Sequence, residues 1–282
     1  FGSSQLAYAI RMNKQTTLRI GGVPEHFNLP WHLTLPDWCL QNPHTTASWS
    51  DWPSGTGAMV QALLLDELDV ALLVTEGGVR AVAKHEQLRL LGFYTRTPLR
   101  WGIHVPPDGS ITSIDQLRGK RYAISREGSG SQLMAMIHAR QQGWATQDMR
   151  FVIVNDLEGA ALALGSGKAE VFFWEHYTTK PRVQAGQFHW LEDFPPPWPG
   201  FVIASRNDLR AEQVAALHDL LAAVFRSAAA LKADAQAPVL IAARYGMQID
   251  DAADWLQQTQ WAAELQLDAD TLSGVKQMLR VV

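Results

Sequence analysis

Short apolar segments alternate with segments of helical periodicity along the first part of the chain. Residues 18–23, 45–49, 69–74 and 88–94 have the apolar composition of strands, and residues 58–65 repeat their apolar positions at helical spacing. Strands that alternate with helices predict a mostly parallel sheet that is covered on both faces.

A second unit of the same kind follows an extended stretch at 97–106. Its strands are predicted at 121–125, 151–154 and 169–173, and its helices at 131–142, 157–164 and from 175 onward. The proline-rich run at 195–199 cannot be a helix or a central strand, and a strand at 201–204 is expected to return to the first unit. The remainder, 210–282, has a helical pattern.

These patterns predict an α/β protein with two lobes. Residues 1–102 together with 200–282 are expected to form lobe I, and residues 103–199 to form lobe II. Two crossings between the lobes make a hinge, so the sequence predicts a clamp that opens and closes.

The segment 120–136 has the local features of an anion pocket. A short strand runs into Gly128-Ser129-Gly130-Ser131, and an amphipathic helix follows. Glycines permit a sharp turn, and the first turn of a helix offers free N–H groups at the positive end of its dipole. The alternative is an ordinary strand-to-helix turn with a serine cap.

Better-known glycine motifs do not fit this chain. Leu133 stands where a dinucleotide-binding fingerprint needs its third glycine. Near Gly165-Ser166-Gly167-Lys168, Ala169 and Leu162 replace the hydroxyl and the first glycine of a phosphate-binding P-loop. No serine-hydrolase elbow or other recognised catalytic spacing is present in the sequence.

Composition narrows the function further. The net charge of -4 and the scattered lysines and arginines argue against nucleic acid as a partner. The sequence predicts no membrane-spanning segment. The single Cys39 excludes an internal disulfide framework and a multi-cysteine zinc site, and we expect neither a metal nor a cofactor.

The first residues allow two locations. Residues 1–11 lack the basic start and apolar run of a secretory signal. A periplasmic location is expected if a signal peptide was removed, whereas Met12 as the native start would indicate a cytoplasmic protein.

The order of motifs resembles a known family, the type II periplasmic-binding-protein-like substrate-binding proteins of ABC transporters. Within it, the resemblance is to the NMT1/THI5-like branch, whose ligands include nitrate, sulfonates, taurine and pyrimidine precursors. The residues that carry it are Gly55-Thr56-Gly57, Glu67–Leu72, Leu117–Ile124, Gly128–Ser131 and Ala163–Val171. The resemblance implies a two-lobed fold, a small-molecule ligand in the cleft, membrane subunits of an ABC importer as partners, and a monomer.

In such folds the ligand lies beyond the carboxyl ends of the strands. The resulting candidates for ligand binding are Glu25, His26, Trp52, Gly55, Thr56, Thr75, Glu76, Ser129, Gly130, Ser131, Trp174, Glu175 and Trp198. Glu76 and Glu175 are expected to project into the cleft from opposite lobes, which favours a ligand with an amine at one end and an anionic group at the other. An aminosulfonate or an aminopyrimidine has this character. Each glutamate alternatively serves a helix dipole.

A non-catalytic receptor is therefore the leading hypothesis. The alternative is a small-molecule enzyme of the same fold, related to pyrimidine-precursor synthesis, although that branch is marked by a cysteine-rich stretch and this chain has only Cys39. The effector domain of a transcription regulator is disfavoured, because 17 residues before Leu18 are too few for a helix-turn-helix.

Overall fold

The computed structural model describes residues 15–280, which form two five-stranded sheets with helices packed against them. The strands of the first sheet are β1 (Thr16–Gly22), β2 (Thr45–Asp51), β3 (Val70–Val74), β4 (Leu88–Phe93) and β10 (Phe201–Arg206). Their order is β2-β1-β3-β10-β4. Strand β1 pairs in parallel with β2 and β3, whereas β10 is antiparallel to β3 and β4.

The second sheet repeats this arrangement. Its strands are β5 (Trp101–Val105), β6 (Arg121–Ile124), β7 (Arg150–Ile153), β8 (Val171–Glu175) and β9 (His189–Asp193), in the order β7-β6-β8-β5-β9. Strand β6 pairs in parallel with β7 and β8, whereas β5 is antiparallel to β8 and β9.

The helices pack on the sheets and continue beyond them. They are α1 (Leu29–Gln41), α2 (Thr56–Leu64), α3 (Thr75–Lys84), α4 (Gly130–Gln141), α5 (Leu157–Gly165), α6 (His176–Gln184), α7 (Ala211–Ala233), α8 (Ala237–Tyr245), α9 (Ile249–Gln258) and α10 (Ala269–Arg280). The α/β class and the helical C-terminal part predicted from the sequence are confirmed.

Each sheet contains one reversed strand, and that strand adjoins a crossing between the sheets. The chain passes from β4 to β5 through residues 94–100, and from β9 back to β10 through residues 194–200. Neither crossing contains a helix, and β5 and β10 each lie antiparallel to both neighbouring strands. Trp101 already belongs to the second sheet, and the division into lobes at residue 102 stays a prediction.

Two strand predictions need correction. Strand β9 was not predicted, because its exposed and half-buried residues have no apolar alternation. The extended stretch at 97–106 is not a simple linker, since its second half is the fully buried strand β5, which lies between β8 and β9. Residues 1–11, which lack the features of a secretory signal, and the alternative start at Met12 lie outside the described residues.

Helix α7 joins the C-terminal part to the first sheet. Its residues Leu217, Leu220, Leu221 and Val224 recur at helical spacing and are buried, and the helix packs on α1 and β1. By length and apolar composition this one helix among the described residues would suffice to cross a membrane, contrary to the sequence prediction. A core helix with one buried face passes the same test, so this is weak support for a span.

Candidate functional site

A cavity of about 50 Å³ lies between the two sheets. The first sheet and its loops contribute one wall, and the second sheet with the start of α4 contributes the other. Residues from both sides line it: Val23, Glu25, Ser54, Gly55, Thr56, Leu72, Val74, Leu99, Trp101, Ser125, Arg126, Ser129, Gly130, Ser131, Trp174, Glu175 and Phe201. The two walls are close, because a Cβ on Gly130 at the start of α4 would lie 3.4 Å from the side chain of Val74 on the first sheet.

The glycine-serine turn, together with Arg126, makes up one set of polar lining groups, which we call the positive end. Gly128 has a φ of 72°, and its N–H donates to Gln132 Oε1 over 2.6 Å. Ser129 is the N-cap of α4 and accepts from the Gln132 N–H, and the Ser129 and Ser131 hydroxyls lie 3.0 Å apart. The start of α4 therefore faces the cavity with two buried hydroxyls and with N–H groups that have no partner within the helix.

Arg126 adds a positive charge to the same end. It follows β6 by two residues, and its Nε is buried with no hydrogen-bond partner among the described residues. Burial lowers the pKa of Arg126, although a guanidinium stays charged in proteins. A Cβ on Gly57, in the first turn of α2, would lie 2.7 Å from Arg126 Nε, so this side chain reaches across to the opposite wall.

Two buried carboxyl groups make up a second set of lining groups, which we call the acidic end. Glu25 is 9% exposed and Glu175 is 2% exposed. Burial, and secondarily the charge of Glu175, raises the pKa of Glu25 to about 8. Burial also raises the pKa of Glu175. Glu175 Oε2 caps α6 by accepting from the Thr178 N–H (2.7 Å) and hydroxyl (2.9 Å), whereas Glu175 Oε1 is buried without a partner.

His26 does not neutralise these carboxyl groups. Its Nε2 lies 3.8 Å from Glu175 Oε2, but burial lowers the pKa of His26 to about 3. The ring packs edge-to-face on Trp255 at 4.3 Å between centroids. His26 is therefore uncharged near neutral pH and gives the two carboxyl groups no counter-charge.

Glu76 lies elsewhere than expected. It is the second residue of α3 and does not line the cavity, because its carboxylate turns toward Trp198, whose Nε1 donates to Glu76 Oε2 over 3.0 Å. Burial raises the pKa of Glu76 to about 7. The cavity thus has a pair of glutamates, but the pair is Glu25 and Glu175.

Three further predicted residues also lie outside the cavity lining. Trp52 packs beside Gly21 and donates to Ser50 Oγ over 2.9 Å. Thr75 is buried with an unpartnered hydroxyl, and Trp198 lies on the second crossing. Together with His26 and Glu76, these are the predicted ligand-binding residues that do not line the cavity.

The remaining predicted positions share the cavity: Glu25, Gly55, Thr56, Ser129, Gly130, Ser131, Trp174 and Glu175. Sequence reasoning missed Ser54, Trp101, Ser125 and Arg126. Ser125 and Arg126 directly follow β6. The expectation that ligands lie beyond the carboxyl ends of strands would have identified both residues if it had been applied to the loop after β6. That these side chains bind a ligand stays a prediction.

No group of three or more His, Cys, Asp or Glu side chains within residues 15–280 is arranged to hold a metal ion. The polar groups of the cavity instead suit an organic ligand with charged ends.

Comparison with known proteins agrees with this geometry. The sequence profile of the ABC transporter, phosphonate, periplasmic substrate-binding proteins matches residues 52–245. The chain belongs to this family. Its proteins are periplasmic and supply ligands to ABC transporters, and substrate-binding proteins of this kind are generally not enzymes. No curated protein has a significantly similar sequence.

Solved structures share the fold. The conserved CA3427 gene product of Candida albicans, which defines a family with the generic periplasmic binding protein fold, has a TM-score of 0.86 at 23% identity, over 94% of this chain and 89% of the other. The alkanesulfonate-binding protein SsuA from Xanthomonas axonopodis pv. citri, bound to MOPS, has a TM-score of 0.80 at 16% identity, over 94% and 92%. A phosphonate-transporter binding component from Pseudomonas aeruginosa has a TM-score of 0.61 at 16% identity, over 94% and 86%.

Proposed function

We propose that this protein is a receptor that closes on a small zwitterion, with a sulfonate or phosphonate group at one end and an amine at the other, and delivers it to the membrane subunits of an ABC importer. The supporting observation is the opposite character of the two ends of one cavity. The positive end, Arg126 and the start of α4, and the acidic end, Glu25 and Glu175, both belong to its lining.

The positive end suits a tetrahedral anion. Arg126 has an unpartnered buried Nε, and Ser129 and Ser131 offer hydroxyl groups beside the helix N-terminus. A charge-assisted hydrogen bond contributes about 1.5–3 kcal/mol, and a sulfonate or phosphonate has three oxygens to accept such bonds. A ligand without an anionic group would leave Arg126 uncompensated.

The acidic end suits an ammonium group. Two buried carboxyl groups disfavour ionisation of one another, and a cation between them would relieve this repulsion and satisfy Glu175 Oε1. MOPS, the molecule bound to the Xanthomonas protein, is itself a sulfonate with a ring amine.

The ligand is expected to be compact. A cavity of about 50 Å³ with both walls in contact leaves room for little more than a head group, so entry of a ligand requires the walls to separate and close again. Trp101 and Trp174 both line this space with unpartnered indole N–H groups, and their fluorescence should report closure.

An aminopyrimidine, the ligand type of the NMT1/THI5-like branch, is the second candidate. The indole rings of Trp101 and Trp174 in the lining favour a flat ring. An uncharged aminopyrimidine gives Arg126 no counter-charge. A zwitterion has a partner for Arg126 as well as for the two carboxyl groups, and it is therefore the preferred ligand.

Isothermal titration calorimetry with four compounds tests the proposal. We expect 2-aminoethylphosphonate and 2-aminoethanesulfonate to bind at least tenfold more tightly than ethylphosphonate, which lacks the amine, and than 2-methyl-4-aminopyrimidine, which lacks the anion. Equal or tighter binding of ethylphosphonate would contradict the role of the acidic end. Tightest binding of the pyrimidine would favour the second candidate, and its conversion to a product, followed by NMR, would favour the enzyme.

A further inference from the structure

A second, larger cavity shares no lining residue with the cavity of the cleft. This groove has a volume of about 580 Å³ and runs between α3, α4 and α10. Helix α3 belongs to the first sheet and packs against α10, whereas α4 packs on the second sheet. The groove therefore bridges the two halves of the molecule.

Four cations line this groove. They are Arg80 and Lys84 from α3, and Lys276 and Arg280 from α10, and no carboxylate is among the lining residues. Within residues 15–280 none of the four forms an ion pair. Such a concentration of uncompensated positive charge in a chain with a net charge of -4 indicates an anionic occupant.

The floor of the groove is apolar. Val79 and Leu133 are buried beneath it, and Met136 and Leu279 are half-buried along its sides. Methionine adapts to irregular apolar ligands, and the long stems of lysine and arginine extend apolar surface toward their charged ends. The groove thus combines a methylene-binding floor with a positively charged rim.

We propose that this groove is a binding site for an anionic amphiphile, a linear alkyl chain with a single negatively charged head. Its volume lies within the roughly 300–1,000 Å³ range of small-molecule sites. The N-terminal residues 1–14 are an unsuitable occupant, because they contain Arg11 and Lys14 and no acidic residue. The groove and the cleft cavity have separate lining residues, so binding to the groove is tested without a cleft ligand.

Decanoate below its micelle concentration is the probe, and the full chain labelled with ¹³C-methyl methionine gives the readout. We expect the Met136 methyl resonance, assigned with Met136→Leu, to shift saturably with decanoate. Acetate, which lacks the chain, and decyltrimethylammonium, which reverses the head charge, should shift it at least tenfold less at equal concentration.

The test variant reverses two charges in the groove, Lys84→Glu and Lys276→Glu. The control variant reverses two charges at exposed positions elsewhere, Arg140→Glu and Lys168→Glu. The first should weaken decanoate at least tenfold, and the second, with the same net charge, less than threefold. Retained folding of both is checked by circular dichroism, and the single variants replace a double variant that does not fold.

Several outcomes would overturn the proposal. An unmoved Met136 resonance at millimolar decanoate, equal shifts from acetate or from the cationic analogue, or equal weakening by both charge reversals would each exclude an amphiphile site. Tighter binding of a hexaglutamate peptide than of decanoate would show a docking surface for acidic protein segments instead. None of these results depends on the ligand of the cleft.

Discussion

The two ends of the cleft obtain their polarity in different ways. At the positive end, charge comes from two fixed sources: the Arg126 guanidinium, and the backbone, since Gly128 shapes the turn and α4 directs its first N–H groups at the cavity. At the acidic end, charge comes entirely from side chains. Glu25 and Glu175 are buried, and burial raises the pKa of both.

This difference makes the two ends unequal as ligand sites. Backbone dipoles and a guanidinium are fixed in charge across the physiological pH range, so the positive end should bind an anion at any such pH. The acidic end changes charge with pH and with its occupant. We therefore expect affinity to depend most on the positive end and selectivity to depend most on the acidic end.

Arg126→Met tests the strongest part of this comparison. Loss of the half-buried guanidinium should weaken 2-aminoethylphosphonate by about 2–5 kcal/mol, which is roughly 30-fold to several-thousand-fold, because the ligand anion would be enclosed in the cavity without its charged partner. Calorimetry measures the loss. Arg140→Met, on the exposed last turn of α4, is the matched control and should bind as the parent does. Equal affinity of the two variants would remove Arg126 from the site.

Glu175→Gln tests selectivity at the other end. Replacing the carboxylate should weaken 2-aminoethylphosphonate about tenfold or more and leave ethylphosphonate within threefold, since only the first has an ammonium group to pair. The Thr178 N–H retains an acceptor in the glutamine oxygen, which keeps the cap of α6. A parallel loss for both ligands would indicate that Glu175 acts only through the helix.

The sequence predicted the backbone of the site better than it predicted which charged side chains line the cavity. The turn at 128–131 was predictable, because glycine and serine spacing specifies local geometry. Glu76 and Glu175 have the same local pattern, an acid that follows an apolar strand, yet only Glu175 lines the cavity. The direction of Glu76 is decided by Trp198, 122 residues away in the chain, and no local signal contains that contact.

The helical C-terminal part shows the same limit. Trp255 packs on His26, and Trp261 Nε1 donates to the Phe27 carbonyl over 3.0 Å, so this part closes the back of the acidic end. Its amphipathic pattern predicted helices but not the part of the fold against which they pack. Glu25 loses contact with water through such long-range packing. The sequence therefore predicted Glu25 as a site residue but could not predict that its pKa is raised.

The raised pKa of Glu25 has a measurable effect on stability. The folded state holds this proton up to about pH 8, whereas an unfolded glutamate releases it near its ordinary pKa of 4.5. The folded state binds more protons between these values, so its stability declines as pH rises through this window. The buried His26, with its pKa lowered to about 3, has the opposite effect, which is complete by about pH 6.5.

Glu25→Gln should therefore raise the melting temperature at pH 8.5 by several degrees relative to the parent, and by less at pH 5. A gain of about 1–2 kcal/mol corresponds to roughly 2–8 °C for a chain of this size. Differential scanning fluorimetry of the ligand-free protein measures it, with the exposed Glu86→Gln as the control. The same gain at both pH values would show that Glu25 does not titrate in this window.

The smallest expected effect belongs to Ser131→Ala. The Ser131 hydroxyl accepts from the Ser125 N–H over 3.2 Å and lies 3.0 Å from the Ser129 hydroxyl, so its removal takes one neutral group from the positive end. A neutral hydrogen bond contributes about 0.5–1.5 kcal/mol, which predicts a roughly 2- to 12-fold loss for both 2-aminoethylphosphonate and ethylphosphonate. An equal loss of affinity for both ligands distinguishes Ser131→Ala from Glu175→Gln, which should weaken only the ligand with an amine. If the loss approached that of Arg126→Met, the hydroxyl pair rather than the guanidinium would dominate anion binding.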